Sequence, residues 1–555
     1  MTTNLNDKPM MAHINSMFKR EWDTLAFADY GTDIAYTHKD VFETIKKYHL
    51  MFELYGIKPG DKVAICDKNS ANWAVVFLSI FTYGAVSVPL LADFHIDQIE
   101  NLTKHSESKL LITNASVYER ASTIDKDKLI NITTFRPFAE SENRETELTK
   151  VFKQVDAEFA KLYPEGAKAE DVNFPEIDLE ELALISYTSG STGNPKGVML
   201  PYRTFWSNVV FCLDTLPTPE NTDQFMSILP MAHMYGFSIE FLYPMSTGRP
   251  IYLLTRIPSP QVLLKAFADV HPFMVVTVPL IVEKIIQGMV FPQLKTPKMK
   301  LMLSIPLVKE LVYKKINEKL INVFGGRFQE MIFGGAAVNR DVDTFLHRIK
   351  FPCTTGYGMT ECAPLISYVG FKYSKVGSCG KAVDRMEVKV ASKDPQHIAG
   401  ELLVRGTNVM TGYYKNEEAT SEVMEKDGWL HTGDLVTIDE EGFIFIRGRK
   451  KNMLLGANGQ NVYPEEIEDV VLSNTIADEC VLVQRNQKFV ALVYVNGSTL
   501  EKNKIQPHQL QYVFESSRHT VNELLPKFAQ LSSFEVRSEE FEKTPKKNIK
   551  RYLYK

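Results

Sequence analysis

The stretch Tyr187–Leu200, YTSGSTGNPKGVML, follows a short apolar run at Leu182–Ile185. Such a run ending at a glycine-rich turn predicts a buried strand that delivers a loop to the edge of a sheet. Glycines let backbone N–H groups approach anionic oxygens, and hydroxyls and a lysine add donors, so the loop favours a phosphate chain. A flexible surface loop is the alternative. The spacing differs from G-x-x-x-x-G-K-[ST], which excludes the common NTPase loop.

The composition is that of a globular chain of 555 residues with a formal charge of −5. At about 150 residues per domain this length predicts two to four domains. The balanced charge gives no overall field that would recruit nucleic acid or an anionic membrane. Six cysteines without a C-x-x-C pair, and an N-terminus without a signal pattern, predict a cytoplasmic protein.

The order of predicted elements indicates the fold class. Thr37 caps a helix that runs to Tyr55, and the stretch that begins at Trp73 reads as a buried helix, a stop at Gly84 and a strand, not as a membrane span. This alternation predicts a large α/β body with a largely parallel sheet. A β-rich subdomain follows Gly377, and a small mobile α+β domain ends the chain. The predicted domains are residues 1–450 and 451–555.

Four further motifs accompany the opening loop. They are LPMAHMYGF at 229–237, GYGMTE at 356–361, GWLHTGDL at 428–435 and GRKKNMLLGANGQNVYPEEIE at 448–468. In this order they resemble the signatures of the adenylate-forming (AMP-binding, ANL) superfamily, and the chain most resembles bacterial long-chain fatty-acid–CoA ligases. The resemblance runs from about Tyr36 to the last residues. It implies that the opening loop holds the pyrophosphate portion of ATP.

The resemblance also implies ATP and CoA as co-substrates, Mg²⁺ as cofactor, and a role for each motif residue. The residues implied to hold the phosphates are Thr188, Ser189, Gly190, Ser191, Thr192, Gly193 and Lys196. Those implied to bind Mg²⁺ are Thr188 and Glu361. Those implied to bind the rest of the nucleotide are Tyr357, stacked on adenine, with Gly358 and the turn of Gly335 and Ala336 beside it, Thr360 at the α-phosphate, Asp434 at the ribose, and Arg449. Taken alone, Tyr357 would be a core aromatic and Asp434 a turn cap.

The residue in the motif at 229–237 that would lie near the substrate, His233, indicates which class of acid is activated. In amino-acid-activating relatives an aspartate in this motif holds the substrate amine, whereas here no acidic residue occurs before Glu240. A buried histidine gives an ammonium group no ionic partner, so an acyl chain fits better. A core histidine is the alternative. Nearby apolar residues would wall an acyl tunnel or belong to the core: Met231, Met234, Tyr235, Phe237 and Phe241.

The second half-reaction transfers the acyl group to a thiol. The family rotates its C-terminal domain about one residue, which matches Lys451. Free CoA and a carrier-protein arm share the same pantetheine thiol, so an acyl-AMP ligase serving a carrier protein stays an alternative, as does a non-catalytic binding relative. The expected partners are fatty acid, ATP and CoA, without nucleic acid and with at most peripheral membrane association. Acyl chain length and oligomeric state stay open.

The C-terminal loop departs from the family. Relatives place a lysine that bridges the carboxylate and the α-phosphate where this sequence has Asn548. An amide donates hydrogen bonds but carries no charge, so it stabilises developing negative charge less well. Lys547 takes the role through a one-residue shift, or Asn548 orients the carboxylate in a slower reaction, or the reaction is lost. We favour the first explanation because irregular loops tolerate such shifts.

Overall fold

The computed structural model describes residues 4–188, 195–256, 259–455, 461–486, 488–543 and 549–554. The chain divides into two compact units. The first comprises Met1–Val338, Phe345–Glu387 and Val404–Leu430, and the second comprises Asn339–Thr344, Val388–Leu403 and His431–Lys555. The boundary predicted after Lys450 concerns a functional hinge, and it stays a prediction.

An eight-stranded sheet, counted over the described ranges, carries the phosphate-loop strand of the first unit. The strands from Leu182–Thr188 across to Leu129–Asn131 are parallel neighbours, which confirms the predicted largely parallel sheet. In spatial order the strands are Gly412–Tyr413, Lys196–Pro201, Leu182–Thr188, Val86–Leu91, Lys62–Asp67, Leu110–Thr113, Leu129–Asn131 and Arg136–Pro137.

Local sequence signals set the bounds of the helix His38–Tyr55. The Thr37 hydroxyl accepts a hydrogen bond from the Asp40 N–H while the Asp40 carboxylate accepts one from the Thr37 N–H. This reciprocal cap satisfies two donors at the helix start. At the other end Gly56 adopts a φ of 82°, where a side chain would be strained. The predicted start and stop are both confirmed.

The apolar stretch that begins at Trp73 is a buried helix followed by a strand, as predicted. Ser70 caps the helix Ala71–Tyr83, Gly84 ends it with a φ of 86°, and the strand Val86–Leu91 follows. Almost every residue of the helix is buried in protein. Over the described part of the chain, no helix is long and apolar enough to cross a membrane.

Smaller sheets and many helices complete the first unit. One sheet has the strand order Phe225–Ser227, Ile251–Leu253, Leu25–Asp29 and Ala35–Thr37, a parallel one has Met274–Thr277, Glu330–Phe333 and Cys353–Thr355, and another has Tyr357–Gly358, Leu365–Tyr368 and Lys381–Ala382. The other helices are Met10–Arg20, Ile96–His105, Ala115–Arg120, Phe138–Ser141, Glu147–Leu162, Tyr202–Thr215, Gly236–Leu242 (a π-helix), Tyr243–Thr247, Pro260–Val270, Pro279–Ile285, Ile286–Val290 (π), Phe291–Leu294, Pro297–Leu303, Pro306–Val323 and Glu417–Val423. The helix Arg340–Arg348 contains a boundary between the units.

The second unit combines sheets and helices, as predicted for the end of the chain. Its core includes the aromatic pair Phe514 and Phe534, whose ring centroids lie 5.3 Å apart. One of its sheets, which lies largely within this unit, has the strand order Met386–Ala391, Gly400–Gly406, Leu430–Ile438 and Ile444–Arg449. A second sheet pairs Leu454–Leu455 with Asn461–Val462. A third has the order Glu479–Arg485, Lys488–Tyr494 and Leu531–Arg537. Its helices are Pro464–Asn474, Gly497–Asn503 and Leu510–Leu524.

Candidate active site

Three side chains of the first unit, Lys196, Tyr413 and Glu361, meet beside the strand Lys196–Pro201. The Lys196 Nζ lies 4.8 Å from the centroid of the Tyr413 ring, and the Tyr413 hydroxyl donates a hydrogen bond to Glu361 Oε1 at 2.9 Å. Pairing of Tyr413 with Val198 fixes this placement. Burial raises the pKa of Tyr413, so its hydroxyl remains a donor. A cation and a carboxylate are therefore linked through one tyrosine.

The predicted phosphate loop lies between two residues, Thr188 and Lys196, that are paired across neighbouring strands. Thr188 ends the strand Leu182–Thr188 and lies opposite Lys196 in the antiparallel register. The Thr188 Oγ1 lies 3.5 Å from the Lys196 carbonyl oxygen. The structure thus brings together two of the predicted phosphate and metal ligands, Thr188 and Lys196. The other predicted members, Ser189, Gly190, Ser191, Thr192 and Gly193, lie outside the described residues.

The predicted adenine turn follows the strand Glu330–Phe333. The Tyr235 hydroxyl donates a hydrogen bond to the Ile332 carbonyl at 3.0 Å, which lays the tyrosine ring against Gly334. A Cβ on Gly334 would lie 2.6 Å from this ring, so only glycine fits. Gly335 then turns the chain with a φ of 80°, and Gly335 and Ala336 are exposed.

A cavity in the first unit brings five predicted residues together. His233, Gly335, Tyr357, Gly358 and Thr360 all line it. Its volume is about 70 Å³, below the about 300–1,000 Å³ of typical ligand pockets. Its other walls are mostly apolar: Phe211, Cys212, Leu216, Met234, Tyr235, Ile239, Ile332, Gly334, Gly356, Met359, Pro364, Leu365 and Tyr368.

The His233 side chain is half-buried, not fully buried as predicted. Its Nδ1 accepts a hydrogen bond from the Tyr235 N–H at 3.3 Å, which in the neutral ring leaves the proton on Nε2. Of the apolar neighbours, Met234 and Tyr235 line the cavity. Phe237 and Phe241 instead pack on Phe77, at centroid distances of 4.7 and 5.7 Å, and belong to the core.

Glu240 lies in the π-helix Gly236–Leu242 and is turned away from solvent. Its Oε2 accepts hydrogen bonds from the Ile228 N–H at 3.0 Å and the Leu229 N–H at 2.8 Å. Its Oε1 is buried and has no hydrogen-bond partner in the part of the chain that the structure describes. Burial raises the pKa of Glu240 well above its usual 4.5. This carboxyl therefore ties down the segment that leads to His233.

In the second unit, Asp434 and Arg449 face each other across the hairpin of Leu430–Ile438 and Ile444–Arg449. The Arg449 Nε lies 2.8 Å from Asp434 Oδ1. The Asp434 side chain is 5% exposed and the Arg449 side chain 49% exposed. The second unit therefore presents a carboxylate held from the solvent side by a guanidinium group.

The turn after Arg449 is basic and exposed. The Lys450 Nζ pairs with Glu401 Oε2 at 2.8 Å, and His431 Nδ1 lies 3.0 Å from the same oxygen. Lys451, the predicted hinge, follows in the turn Lys450–Asn452 and is exposed.

The predicted catalytic pair Lys547 and Asn548 lies outside the described residues. The residues that flank this segment, Lys543 and Ile549, form an antiparallel bridge. Beyond them Arg551 pairs with the buried Glu468, with Nη1 2.7 Å from Oε1. The two ends of the segment are therefore anchored to the second unit.

A family model described as "AMP-binding enzyme" matches residues 16–414. The chain belongs to the AMP-binding enzyme family. The matched part contains the phosphate loop, His233 and Glu361, so the resemblance to adenylate-forming enzymes is confirmed. This AMP-binding enzyme is an adenylate-forming acid–thiol ligase.

Two relatives show the range of the AMP-binding enzymes that are similar to this one. The long-chain-fatty-acid–CoA ligase of Bacillus subtilis is 25% identical, over 86% of this chain and 83% of its own. The chloroplastic long-chain-fatty-acid–[acyl-carrier-protein] ligase of Arabidopsis thaliana is 24% identical, over 93% of this chain and 79% of its own. The two names give different thiol acceptors, CoA for the first relative and an acyl carrier protein for the second.

A solved structure supports the fold of this AMP-binding enzyme. The O-succinylbenzoate coenzyme A synthetase of Bacillus subtilis, in complex with AMP, has a TM-score of 0.73 at 20% identity and covers 99% of this chain and 98% of its own. At that identity the likeness concerns the fold, and it confirms the predicted α/β body with a C-terminal domain.

Sequence reasoning missed two residues of the site. Tyr413 lies 52 positions from Glu361, and its hydrogen bond depends on the pairing of Gly412–Tyr413 with the strand after the phosphate loop. In the sequence Glu240 is the first acidic residue after His233, but nothing there predicts that it binds backbone N–H groups. An acidic residue in an otherwise apolar run was the available signal, because buried carboxyls need partners.

Proposed function

We propose that this enzyme joins a fatty acid to CoA, forming an acyl-AMP intermediate and releasing AMP and pyrophosphate. The observation that carries the choice of acid is the cavity beside His233. Among the described residues that line it there is no Asp, Glu, Lys or Arg. A substrate ammonium group would be unpaired there, whereas an acyl chain would contact apolar surface.

Glu240 supports this choice. It is the first acidic residue after His233, but its Oε2 is occupied by the Ile228 and Leu229 N–H groups and its burial disfavours the charged form. It therefore offers no anion to an amino-acid substrate. The narrow cavity requires its walls to move before a long acyl chain enters.

In the first half-reaction a carboxylate oxygen bonds to the α-phosphorus of ATP, and the bond from that phosphorus to pyrophosphate breaks. Lys196, with the loop from Thr188, would hold the departing phosphates, and Thr360 would face the α-phosphate. Preorganised donors of this kind lower the barrier between two anions. The lysine that neutralises the reacting oxygens would be Lys547, next to Asn548.

The residues present fit a magnesium ion that is held mainly by phosphates. Glu361 would supply one carboxylate and Thr188 one hydroxyl, both hard oxygen donors. Over the described ranges, no group of three His, Cys, Asp or Glu side chains forms a cage for a metal ion. That donor set suits Mg²⁺, which keeps waters and substrate phosphates as ligands. When bound, Mg²⁺ neutralises phosphate charge.

The family resemblance implies which residues would bind the nucleoside. Tyr357 would stack on adenine, with Gly358 and the Gly335–Ala336 turn beside it. Asp434 would accept the ribose hydroxyls. Its pairing with Arg449 through Oδ1 orients the carboxylate for that role.

In the second half-reaction a thiol attacks the acyl carbon, a thioester forms, and the bond to AMP breaks. Lys451 would be the hinge about which the C-terminal domain rotates between the two reactions. Its exposed turn suits a residue that changes backbone conformation, because hinges are commonly found in loops.

The acceptor is tested by preforming acyl-AMP with ATP and a long-chain acid, then adding CoA or an acyl carrier protein. The proposal expects ATP–pyrophosphate exchange that requires the acid, followed by thioester formation with CoA. Thioester with the carrier protein alone would identify a carrier-protein ligase, as in the Arabidopsis relative's name. Nucleotide binding without acid-dependent exchange would identify a non-catalytic binding protein.

A further inference from the structure

One surface of the first unit is unusually apolar. Over the described ranges, eighteen large hydrophobic side chains are exposed, and six of them lie within the 32 residues from 280 to 311. Leu307 is 82% exposed, Leu301 68% and Leu311 61%. We call this surface, formed by the helices between Pro279 and Val323, the helical patch. Its other exposed apolar residues are Leu280, Met289 and Ile305.

The exposed leucines are not the core-facing side of their helix. The helix Pro306–Val323 buries Val312, Tyr313 and Leu320, and the Tyr313 ring lies 6.3 Å from that of Phe345. Leu307 and Leu311 are four positions apart, so they share a different face of the same helix. This helix thus has an apolar contact with the body and a second apolar face toward solvent.

The helical patch is also basic. Residues 279–323 hold eight lysines and three glutamates, a formal charge of +5 in a chain whose total is −5. Seven of these lysines are exposed: Lys284, Lys295, Lys298, Lys300, Lys314, Lys315 and Lys319. The overall charge predicts no attraction to anionic surfaces, but the charge is unevenly distributed and this segment is an exception.

Exposed leucines and exposed lysines within one helical segment match the surface of an anionic bilayer. Apolar side chains gain by burial at the boundary of headgroups and acyl chains, and each nearby lysine is attracted by anionic lipids. A second copy of this chain is a poorer occupant, because a two-fold contact would place the same lysines against each other. Lipid also needs no shape complementarity to a surface made of several short helices.

We propose that the helical patch docks this protein on the surface of anionic lipid bilayers, with the leucines inserted at the interface and the lysines facing lipid phosphates. The proposed binding is peripheral, at the bilayer surface. The proposal rests on exposure and charge and does not depend on which acid is activated.

The test is sedimentation of the full chain with vesicles of phosphatidylglycerol and phosphatidylcholine, compared with vesicles of phosphatidylcholine alone. We expect binding to the anionic vesicles, weakened by high salt because salt screens the lysines. Leu307→Ser with Leu311→Ser, and separately Lys314→Glu with Lys315→Glu, should each lower the partition coefficient at least about tenfold.

Matched controls carry the same changes elsewhere on the first unit. Leu54→Ser with Leu162→Ser replaces two other exposed leucines, and Lys150→Glu with Lys153→Glu replaces two exposed lysines of the helix Glu147–Leu162. Both should bind vesicles like the wild type, and thermal unfolding confirms that all variants are folded.

Three results would overturn the proposal. The first is no binding by the wild type, or equal binding by patch and control variants. The second is a wild-type dimer that the patch variants dissociate without any vesicle binding, which would assign the surface to a second copy. The third is that the patch variants bind vesicles like the wild type but no longer transfer the acyl group to an acidic carrier protein. That result would assign the helical patch to a protein partner.

Discussion

The two units hold their candidate site residues by different means. In the first, Glu240 is buried and fixes the backbone before His233 through two N–H groups. In the second, Arg449 and Lys450 hold carboxylates at an exposed turn. The cations of these pairs are about half exposed or more although their carboxylates are buried, so water or a substrate anion can replace the carboxylate at each cation, whereas opening the Glu240 network would leave buried N–H groups unsatisfied. The first unit is built to position, and the second to exchange partners.

The largest expected effect tests the exchanging unit. Lys547→Ala should reduce adenylation on the order of 10²-fold or more, about 2.7 kcal/mol of barrier, because a cation at the reacting oxygens is lost. Thioester formation from preformed acyl-AMP should survive. ATP–pyrophosphate exchange measures the first step, and Lys550→Ala is the control, since Lys550 pairs with Glu542.

Asn548→Lys is the informative counterpart. If it raises adenylation strongly while Lys547→Ala has no effect, the family position is vacant in this chain and the assignment to Lys547 is wrong.

Glu361→Gln tests the predicted metal ligand of the first unit. The amide keeps an acceptor for the Tyr413 hydroxyl but removes the anionic ligand, so kcat/KM for Mg-ATP should fall about 10- to 100-fold. Raising the Mg²⁺ concentration should recover part of the loss. Glu440→Gln, at an exposed turn, is the matched control and should behave like the wild type. Normal rates in Glu361→Gln would show that the metal site lies elsewhere.

Lys196→Ala should be milder, about tenfold in kcat/KM, because the backbone donors predicted for the loop remain.

Tyr413→Phe separates the two contacts of the tyrosine, since the ring stays under Lys196 while the donor to Glu361 is lost. We expect a smaller loss than for Glu361→Gln. A Tyr413→Phe defect as large as that of Glu361→Gln would mean that the hydroxyl itself contacts substrate.

Glu240 should affect stability more than rate. Glu240→Ala leaves two N–H groups unsatisfied and should lower the free energy of unfolding by about 1–3 kcal/mol for each, measured with denaturant. Glu240→Gln keeps an acceptor and should cost less. Because the pKa of the folded protein is raised, the carboxyl favours folding fully below pH 4.5, and that contribution is lost as pH rises toward the folded pKa. Gln should remove this pH dependence, and an unchanged profile would show that Glu240 does not titrate in this way.

The sequence was informative where the cause is local. Thr37, Gly56 and Gly84 set helix bounds through caps and left-handed backbone, which depend on a few neighbouring residues. The family motifs located Lys196 and Glu361, but the residue that joins them, Tyr413, is supplied by strand pairing between distant segments. Partners chosen by tertiary packing leave no periodic signal in the sequence.

Acid-dependent AMP release directly tests whether the enzyme activates fatty acids or amino acids. The enzyme with ATP, Mg²⁺ and CoA is given medium- and long-chain fatty acids in one series and amino acids in another, and AMP is quantified. We expect AMP and acyl-CoA in equal amounts with fatty acids and only background release with amino acids, because no Asp or Glu is among the described residues that line the cavity. AMP release with an amino acid and none with any fatty acid would contradict it.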